Sequence, residues 1–382
     1  MLTPFDDYPI HPSADPIAHP ASGDPYHYDR YFFNGYDRDG AFFIGGAMGH
    51  YPVLGVIDAA FAIQRNGARH SIFVSGRMPL DRATQIGPFR LEVVEPLRVT
   101  RLVVEENEHG LSCDLTFRAR TAAIEEPRQR ISSPTGVLLT DHTRLTQWGT
   151  WEGTITLDGE RIDVDPARTP ATKDRSWGVR PVGPRVASNW PVHIPQICWL
   201  WAPLHFDDVC THLASHERGN GERWLESALI VPTLDGPQAP TYGPKADAAL
   251  RHLKDLEHEL HWEKGRREIT KAALTFTEAG GPRQRIELEK LFTFRLNSIG
   301  YTHEKWSHGS IHGELAVERE TVNVADQDPE AISNIHIQTL CKARWDDGAG
   351  TVREGVGILE QLVLGAHEPT GLTGFTDGYA PA

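Results

Sequence analysis

The chain has 382 residues, 39% hydrophobic and 24% charged, and its formal net charge is −14. That length exceeds the usual single-domain size, so two domains of about 190 residues each are expected. The negative balance leaves no basic surplus to neutralise phosphates, which argues against nucleic acid or an anionic membrane as partner.

Residues 1–29 carry Pro4, Pro9, Pro12, Pro16, Pro20 and Pro25. Proline at this density blocks helix and sheet alike, so an irregular arm is expected over 1–29. The first residues show no basic n-region followed by an apolar h-region, and no run of about 18 apolar residues occurs. The expectation is a cytoplasmic protein without a membrane span.

From Arg30 the texture becomes β-like. Tyr31–Tyr36 and Ala41–Ala47 flank Asp37-Arg38-Asp39-Gly40, a hairpin turn. Strand patterns follow at Val56–Gln64, Ser71–Ser75, Phe89–Val94, Arg98–Glu105 and Leu111–Ala119. Val99, Arg101, Val103 and Glu105 alternate with Thr100, Leu102 and Val104, a period of two. After a looser connection over 120–140, Leu145–Leu157 reads as a long strand turning at Asp158-Gly159. A first domain over 30–185 and a second over 186–382 are expected, with Pro181, Pro184, Pro191 and Pro195 marking the boundary. The second half repeats the pattern, with strands expected at Gln196–Leu204, Val209–His216, Trp224–Val231, Leu256–Glu263, Glu268–Thr277, Arg285–Phe294, Gly309–Val322, His336–Arg344 and Gly355–Leu364. Ala246–Glu257 has helix-forming composition, although Leu256, His258, Leu260 and Trp262 fit a strand. Many antiparallel strands with few helices indicate an all-β protein of sandwiches or closed barrels.

Several chemistries are absent from the sequence. There is no GxxxxGK[ST], no HExxH and no GxSxG. Gly45-Gly46-Ala47-Met48-Gly49, read as a turn, lacks the βαβ context and spacing of a dinucleotide site. Cys113, Cys198, Cys210 and Cys341 are widely spaced, which favours small buried hydrophobes over a zinc ribbon or a disulfide framework. His212 and His216 fall on one strand face about 13 Å apart, too far for one metal, and are expected to line a barrel interior. His303 and His308 flank Trp306 without the spacing that enforces a metal site. His50-Tyr51 is placed at a barrel mouth.

Asp58 and Glu360 each interrupt an apolar run. A buried acid needs a partner or a raised pKa. Solvent exposure or an arginine partner is the expectation for both. The densest stretch is Lys173-Asp174-Arg175-Ser176-Trp177-Gly178-Val179-Arg180. As a strand it places Asp174, Ser176 and Arg180 on one face and Arg175 and Trp177 on the other. One face then offers a carboxylate and a guanidinium, paired structurally or aimed at a ligand. The other offers an aromatic wedge for a core.

This segment resembles the (R/K)D-x-SWG-x-R stretch of a bacterial group of two-domain, lipocalin-like proteins related to carotenoid 1,2-hydratase and to AttH-like proteins. Gln196-Ile197-Cys198-Trp199-Leu200-Trp201 and Gly355-Val356-Gly357-Ile358-Leu359-Glu360-Gln361 are similar to further stretches of that group. The resemblance implies two calyx-like β-barrels side by side. It also implies hydrophobic substrates (terpenoids, polyketides or fatty-acid-like chains) and hydratase or cyclase relatives that use no cofactor. On that basis the chain is expected to be a lyase or isomerase working by acid–base chemistry in an apolar barrel pocket. Asp174 would be the acid–base residue positioned by Arg180, with Glu360 and His212 as second choices. Trp177, Trp199 and Trp201, with His216 and Tyr301, would wall the pocket. No cofactor or metal is expected. The partner is a hydrophobic small molecule, with a homodimer as the assembly entertained. The alternative from another class is a non-catalytic carrier of such a molecule.

Overall fold

The computed structural model describes residues 1–3, 6, 8–11, 14–132, 136–182 and 196–378. The first thirteen strands are β1 (His27–Tyr36), β2 (Phe43–Tyr51), β3 (Val56–Arg65), β4 (Ala68–Arg77), β5 (Gln85–Ile86), β6 (Phe89–Glu95), β7 (Val99–Val104), β8 (Leu111–Ala119), β9 (Ile124–Glu125), β10 (Gln129–Ser132), β11 (Leu138–Leu157), β12 (Glu160–Val164) and β13 (Pro170–Val179). The second half holds β14 (Ile197–His205), β15 (Val209–Glu217), β16 (Arg223–Pro232), β17 (Arg251–Trp262), β18 (Ile269–Glu278), β19 (Arg283–Arg295), β20 (Leu315–Asn323), β21 (Ile337–Asp346) and β22 (Val352–Leu364). The all-β expectation holds.

Strands β14 to β19, β21 and β22 close into an eight-stranded antiparallel barrel. The first sheet runs β20-β4-β3-β2-β1-β13-β11-β8-β7-β6-β5, with β9, β10 and β12 added on β11, and curls into a nearly closed barrel. The fold is therefore the two-barrel, lipocalin-like architecture that the resemblance implied. One strand changes sides. β20, from the second half of the sequence, pairs along its whole length with β4, from Leu315↔Gly76 to Asn323↔Ala68, and covers an otherwise open edge. The expected boundary at 185/186 lies outside the described residues, as does Trp190.

Local chemistry accounts for the elements. At the β1–β2 turn, Asp37 Oδ1 accepts from the Asp39 and Ala41 amides, and Gly40 takes φ +83°. Of the helix-compatible run Ala246–Glu257, only Ala246 and Asp247 are helical, within the short helix Pro244–Asp247. From Arg251 the run is β17, because Leu253 and Leu256 bury into the second barrel's core. The four cysteines are free and buried, as expected. The glycine-rich segment after Phe43 is a strand, not a turn, and all nine residues of β2 are buried.

That full burial reflects packing on both faces. Along β1, Tyr31 and Phe33 point into the first barrel, while Phe32 belongs to a different cluster. The same split occurs on β14, where Leu200, Ala202 and Leu204 fill the second barrel and Trp199 and Trp201 point outward. Phe32, Ala47, Ala60 and Phe73 of the first sheet pack with Trp199, Trp201, Phe294, Leu340 and Ile358 of the second barrel. The outer faces of the two barrels thus share a core. Gly45 permits the approach, since a Cβ there would sit 3.0 Å from the Phe294 ring.

Candidate active site between the barrels

β13 lies between β1 and β11, and its register sets the site. Asp174 stands between Phe32 and Thr146, Ser176 between Arg30 and Arg144, and Gly178 opposite Tyr28 and His142. Cross-strand partners share a face. A block of Tyr28, Arg30, Asp174, Ser176, His142 and Arg144 therefore projects from the outer face of the first barrel, toward Trp199 and Trp201 of the second. Polar rows continue through Arg30↔Gly49 and Gly49↔Asp58 to Ser75 on β4.

Asp174 is 6% exposed. Its Oδ2 lies 3.0 Å from Arg144 Nε, an ion-pair contact without hydrogen-bond alignment. Arg144 is shared, because its Nη1 lies 3.5 Å from Glu126 Oε2. Burial pushes the Asp174 carboxyl up to about 6, against the pull of Arg144 and with the help of Glu126. Burial also works on Glu126, but Arg144 and His212 outweigh it and hold that carboxyl at about 2. Glu126 Oε1 further accepts from Thr146 Oγ1 at 2.6 Å and from Trp201 Nε1 at 3.1 Å, with His212 Nε2 at 3.1 Å. Two neighbouring acids thus sit in opposite states. Glu126 is saturated with donors. Asp174 is not, and its Oδ1 makes no hydrogen bond.

The same holds around it. Tyr28 Oη, Arg30 Nε and Nη1, His142 Nε2 and Ser176 Oγ are buried and make no hydrogen bond. Burial, then Arg180, Arg144 and Arg30, lower His142 to about 2, so its imidazole is neutral. Natural proteins pair nearly all buried polar atoms. Their concentration on a single face makes this block the candidate site.

The second barrel contributes a satisfied wall. Trp199 Nε1 donates to Glu360 Oε1 at 3.0 Å, Gln338 Nε2 donates to Oε2 at 2.7 Å, and His336 Nε2 lies 3.0 Å from Oε1. Burial opposes ionisation of Glu360, but His336 and Gln338 hold it at about 2. Asn34 of β1 donates to Gln338 Oε1 at 3.1 Å, tying the barrels together through this network. Trp199 also lies 5.2 Å from the Arg144 guanidinium. Tyr301 accepts from Arg30 and lies 4.5 Å from its guanidinium. A narrow crevice of about 10 Å³ reaches the Asp58–Ser75 row, lined also by Phe73, Trp306 and His308. A larger hollow of about 300 Å³ lies beside Arg251, Glu278, Trp345 and Arg353 of the second barrel and contains no member of the polar block.

The structure brings together Asp174, Glu360, His212, Trp199, Trp201 and Tyr301, and it corrects several expectations. Their location is between the barrels, not inside one. His212 and His216 face outward from the second barrel, where His216 lies 4.8 Å from the Trp199 ring and 4.4 Å from Trp224. Arg144, not Arg180, holds Asp174. Arg180 lies beyond the end of β13, 5.0 Å from the Tyr28 ring. Trp177 is on the opposite face from Asp174, as its parity requires, but it is 40% exposed and neither wedges a core nor walls the site. Glu360 is held by His336, Gln338 and Trp199 instead of solvent or arginine. Asp58 accepts from Tyr51 Oη at 3.3 Å and from the Gly309 amide at 2.7 Å. His50 Nε2 meets Ala83 O at 3.1 Å. His303 is taken by Glu320 at 3.2 Å, while His308 lies 3.8 Å from Asp58, so the two serve different partners.

Sequence reasoning missed Arg30, Glu126, His142 and Arg144. Arg30 carried the same signal as Asp58, a charge inside a strand of large apolar and aromatic residues. Arg144 and His142 alternate on the strand that pairs with the Asp174 segment. Glu126 lay in a stretch with little pattern.

An AttH-like protein of Nitrosomonas europaea superposes over 93% of this chain and 98% of its own, at a TM-score of 0.50 and 11% identity. Kievitone hydratase of Nectria haematococca aligns over 87% and 88%, at a TM-score of 0.45 and 12% identity. The dehydratase asqC of Emericella nidulans is 24% identical over 166 residues, and the chain spans 42% of that curated relative. Residues 2–373 match a family of unknown function, DUF8625, and the chain belongs to that family.

Proposed function

We propose that the protein is a hydro-lyase, adding water to or removing it from a hydrophobic small molecule held between the two barrels, with Asp174 as the acid–base group. The observation that carries this reading is the Asp174 carboxylate. It is buried and under-compensated, and one oxygen is free of hydrogen bonds amid other unpaired polar atoms. A carboxyl poised near neutral pH can both take and return a proton. Glu126 and Glu360, saturated and firmly ionised, hold Arg144, His212 and Trp199 in place. Trp199, Trp201 and Phe32 supply an apolar surround. The partial likeness to a dehydratase supports the same reaction class.

The test is oxygen exchange. Wild-type protein and Asp174→Asn are incubated in H₂¹⁸O with a panel of hydrophobic β-hydroxy carbonyl compounds and their enones, followed by mass spectrometry. Incorporation of ¹⁸O by the wild type, and its loss by at least about 100-fold in Asp174→Asn, is expected for removal of a general acid–base. Tight binding of panel members without exchange would favour the carrier reading.

A further inference from the structure

Arg30 differs from the other buried arginines. Arg69 donates to Asn297 Oδ1 and pairs with Glu320. Arg267 donates to the backbone carbonyls of Val363, Gly365, Gly374 and Asp377. Arg295 donates to Asn334 O and pairs with Glu268. Arg30, only 2% exposed, donates through Nη2 to the phenol of Tyr301, while Nε and Nη1 make no hydrogen bond. A guanidinium cannot discharge itself by losing a proton. Asp174 favours its charge from a distance, but a buried cation with no carboxylate or carbonyl in contact is costly and is expected to serve a ligand. Its surroundings fit that purpose. The Tyr28 and Tyr301 rings flank it, and Ser176, its cross-strand neighbour, keeps an unpaired hydroxyl beside it. Asp174, two residues from Ser176 on the same face of β13, is engaged by Arg144.

We infer that Arg30 is the site for a substrate oxygen that carries or develops negative charge, so the substrate is a hydrophobic carbonyl compound and not a plain hydrocarbon. The inference rests on the hydro-lyase reading for its chemistry and on Arg30 alone for its binding. In the dehydration direction, the Asp174 carboxylate takes the proton α to the carbonyl. The C–H electron pair moves onto the carbonyl oxygen, giving an enolate held by Arg30. The enolate collapses to form the C=C bond and breaks the bond to the β-hydroxyl, which accepts the proton back from Asp174 and leaves as water. The balance is β-hydroxy carbonyl to enone plus water, with Asp174 regenerated. Hydration is the reverse.

Binding of 2-naphthoate and 2-naphthylmethanol, which share a ring system and differ in charge, tests this by calorimetry at pH 7.5. The wild type should prefer the carboxylate by roughly 10- to 100-fold, the range for a hydrogen bond to a charged group. Arg30→Gln should abolish the preference by weakening the carboxylate much more than the alcohol. Arg30→Lys, which keeps the charge with fewer directed donors, should retain part of it. Equal wild-type affinities, no detectable naphthoate binding, or a preference that survives in Arg30→Gln would overturn the inference. The wild-type comparison stands where the Gln variant does not fold. If Arg30 governs the preference while Asp174→Asn keeps full ¹⁸O exchange, the reaction reading fails and the binding assignment does not.

Discussion

Arg144 stands between two carboxylates, with Nε 3.0 Å from Asp174 Oδ2 and Nη1 3.5 Å from Glu126 Oε2. Burial opposes its charge, but Glu126, then Asp174 and Glu360, keep it ionised. Arg144→Met would leave both neighbouring acids buried without a guanidinium. It should lower stability by about 3–5 kcal/mol, the usual cost of breaking a buried pair. Adding Asp174→Asn to Arg144→Met should recover part of that loss, because one uncompensated charge disappears. Urea denaturation of wild type and the two variants measures this, and a double variant no more stable than Arg144→Met would argue against the shared-guanidinium arrangement.

Acid should disturb the interface between the barrels. Glu126 and Glu360 are both held at about 2, below the ordinary 4.5. Carboxyls lowered in the folded state stabilise it above the ordinary value, and that contribution is lost as pH falls toward the folded value. Both glutamates accept from indoles of the interface, Trp201 and Trp199. Tryptophan fluorescence should therefore change between about pH 4.5 and 2. An emission spectrum unchanged down to pH 2 would contradict this.

Lys173, on the opposite face of β13 from Asp174, is 3% exposed and lies 5.4 Å from the Phe117 ring inside the first barrel. Burial, and then Arg175, lower its pKa from 10.5 to about 8. Between those values the unfolded chain binds the extra proton, so this group's contribution to stability rises with pH across that window. At pH 7 the charge is present and costly. Lys173→Met should stabilise the protein by about 1–3 kcal/mol at pH 7, as replacing buried charge with apolar volume often does. The gain should shrink above pH 8. A destabilised variant would show that the amine has a compensating partner.

Docking of the barrels depends on Gly45. A Cβ there would meet the Phe294 ring at 3.0 Å and Ile299 Cγ2 at 3.3 Å. Gly45→Val should cost about 1–3 kcal/mol through overpacking, seen as a lower urea midpoint. An unchanged midpoint would mean that the interface yields freely.

Strands were legible in two ways: by period-two alternation where one face is less buried, as along β7, and as a short apolar run bounded by turns where both faces are buried, as along β14. The turn at Asp37–Gly40 was legible for its own local reason, the Asx bonds and a left-handed glycine. Alternation also sorted the Asp174 segment into faces correctly. It does not say which face meets a barrel interior and which meets another barrel. That is why His212 and His216 were expected inside, and why Trp177, near the strand end, was expected in a core. Nor does local pattern choose partners across the chain. β20 was readable as a strand, but its pairing with β4 is a matter of topology. Arg144 lies only two residues beyond His142 on a strand whose register with β13 no sequence period reveals, so Arg180, nearer in sequence, looked like the partner of Asp174.

The central claim is that Asp174 is a functional acid held against its own stability. Burial raises it from 3.8 to about 6, so the folded state binds a proton in that window that the unfolded chain does not. Its cost is present above pH 6 and is relieved as pH falls toward 3.8. Urea denaturation of wild type and Asp174→Asn, at pH 7.5 and at pH 5, measures this directly. The account predicts a variant more stable than wild type at pH 7.5, by up to about 3 kcal/mol, with the advantage shrinking at pH 5. A variant less stable by about 3–5 kcal/mol at both pH values, the signature of a broken structural ion pair, would contradict it.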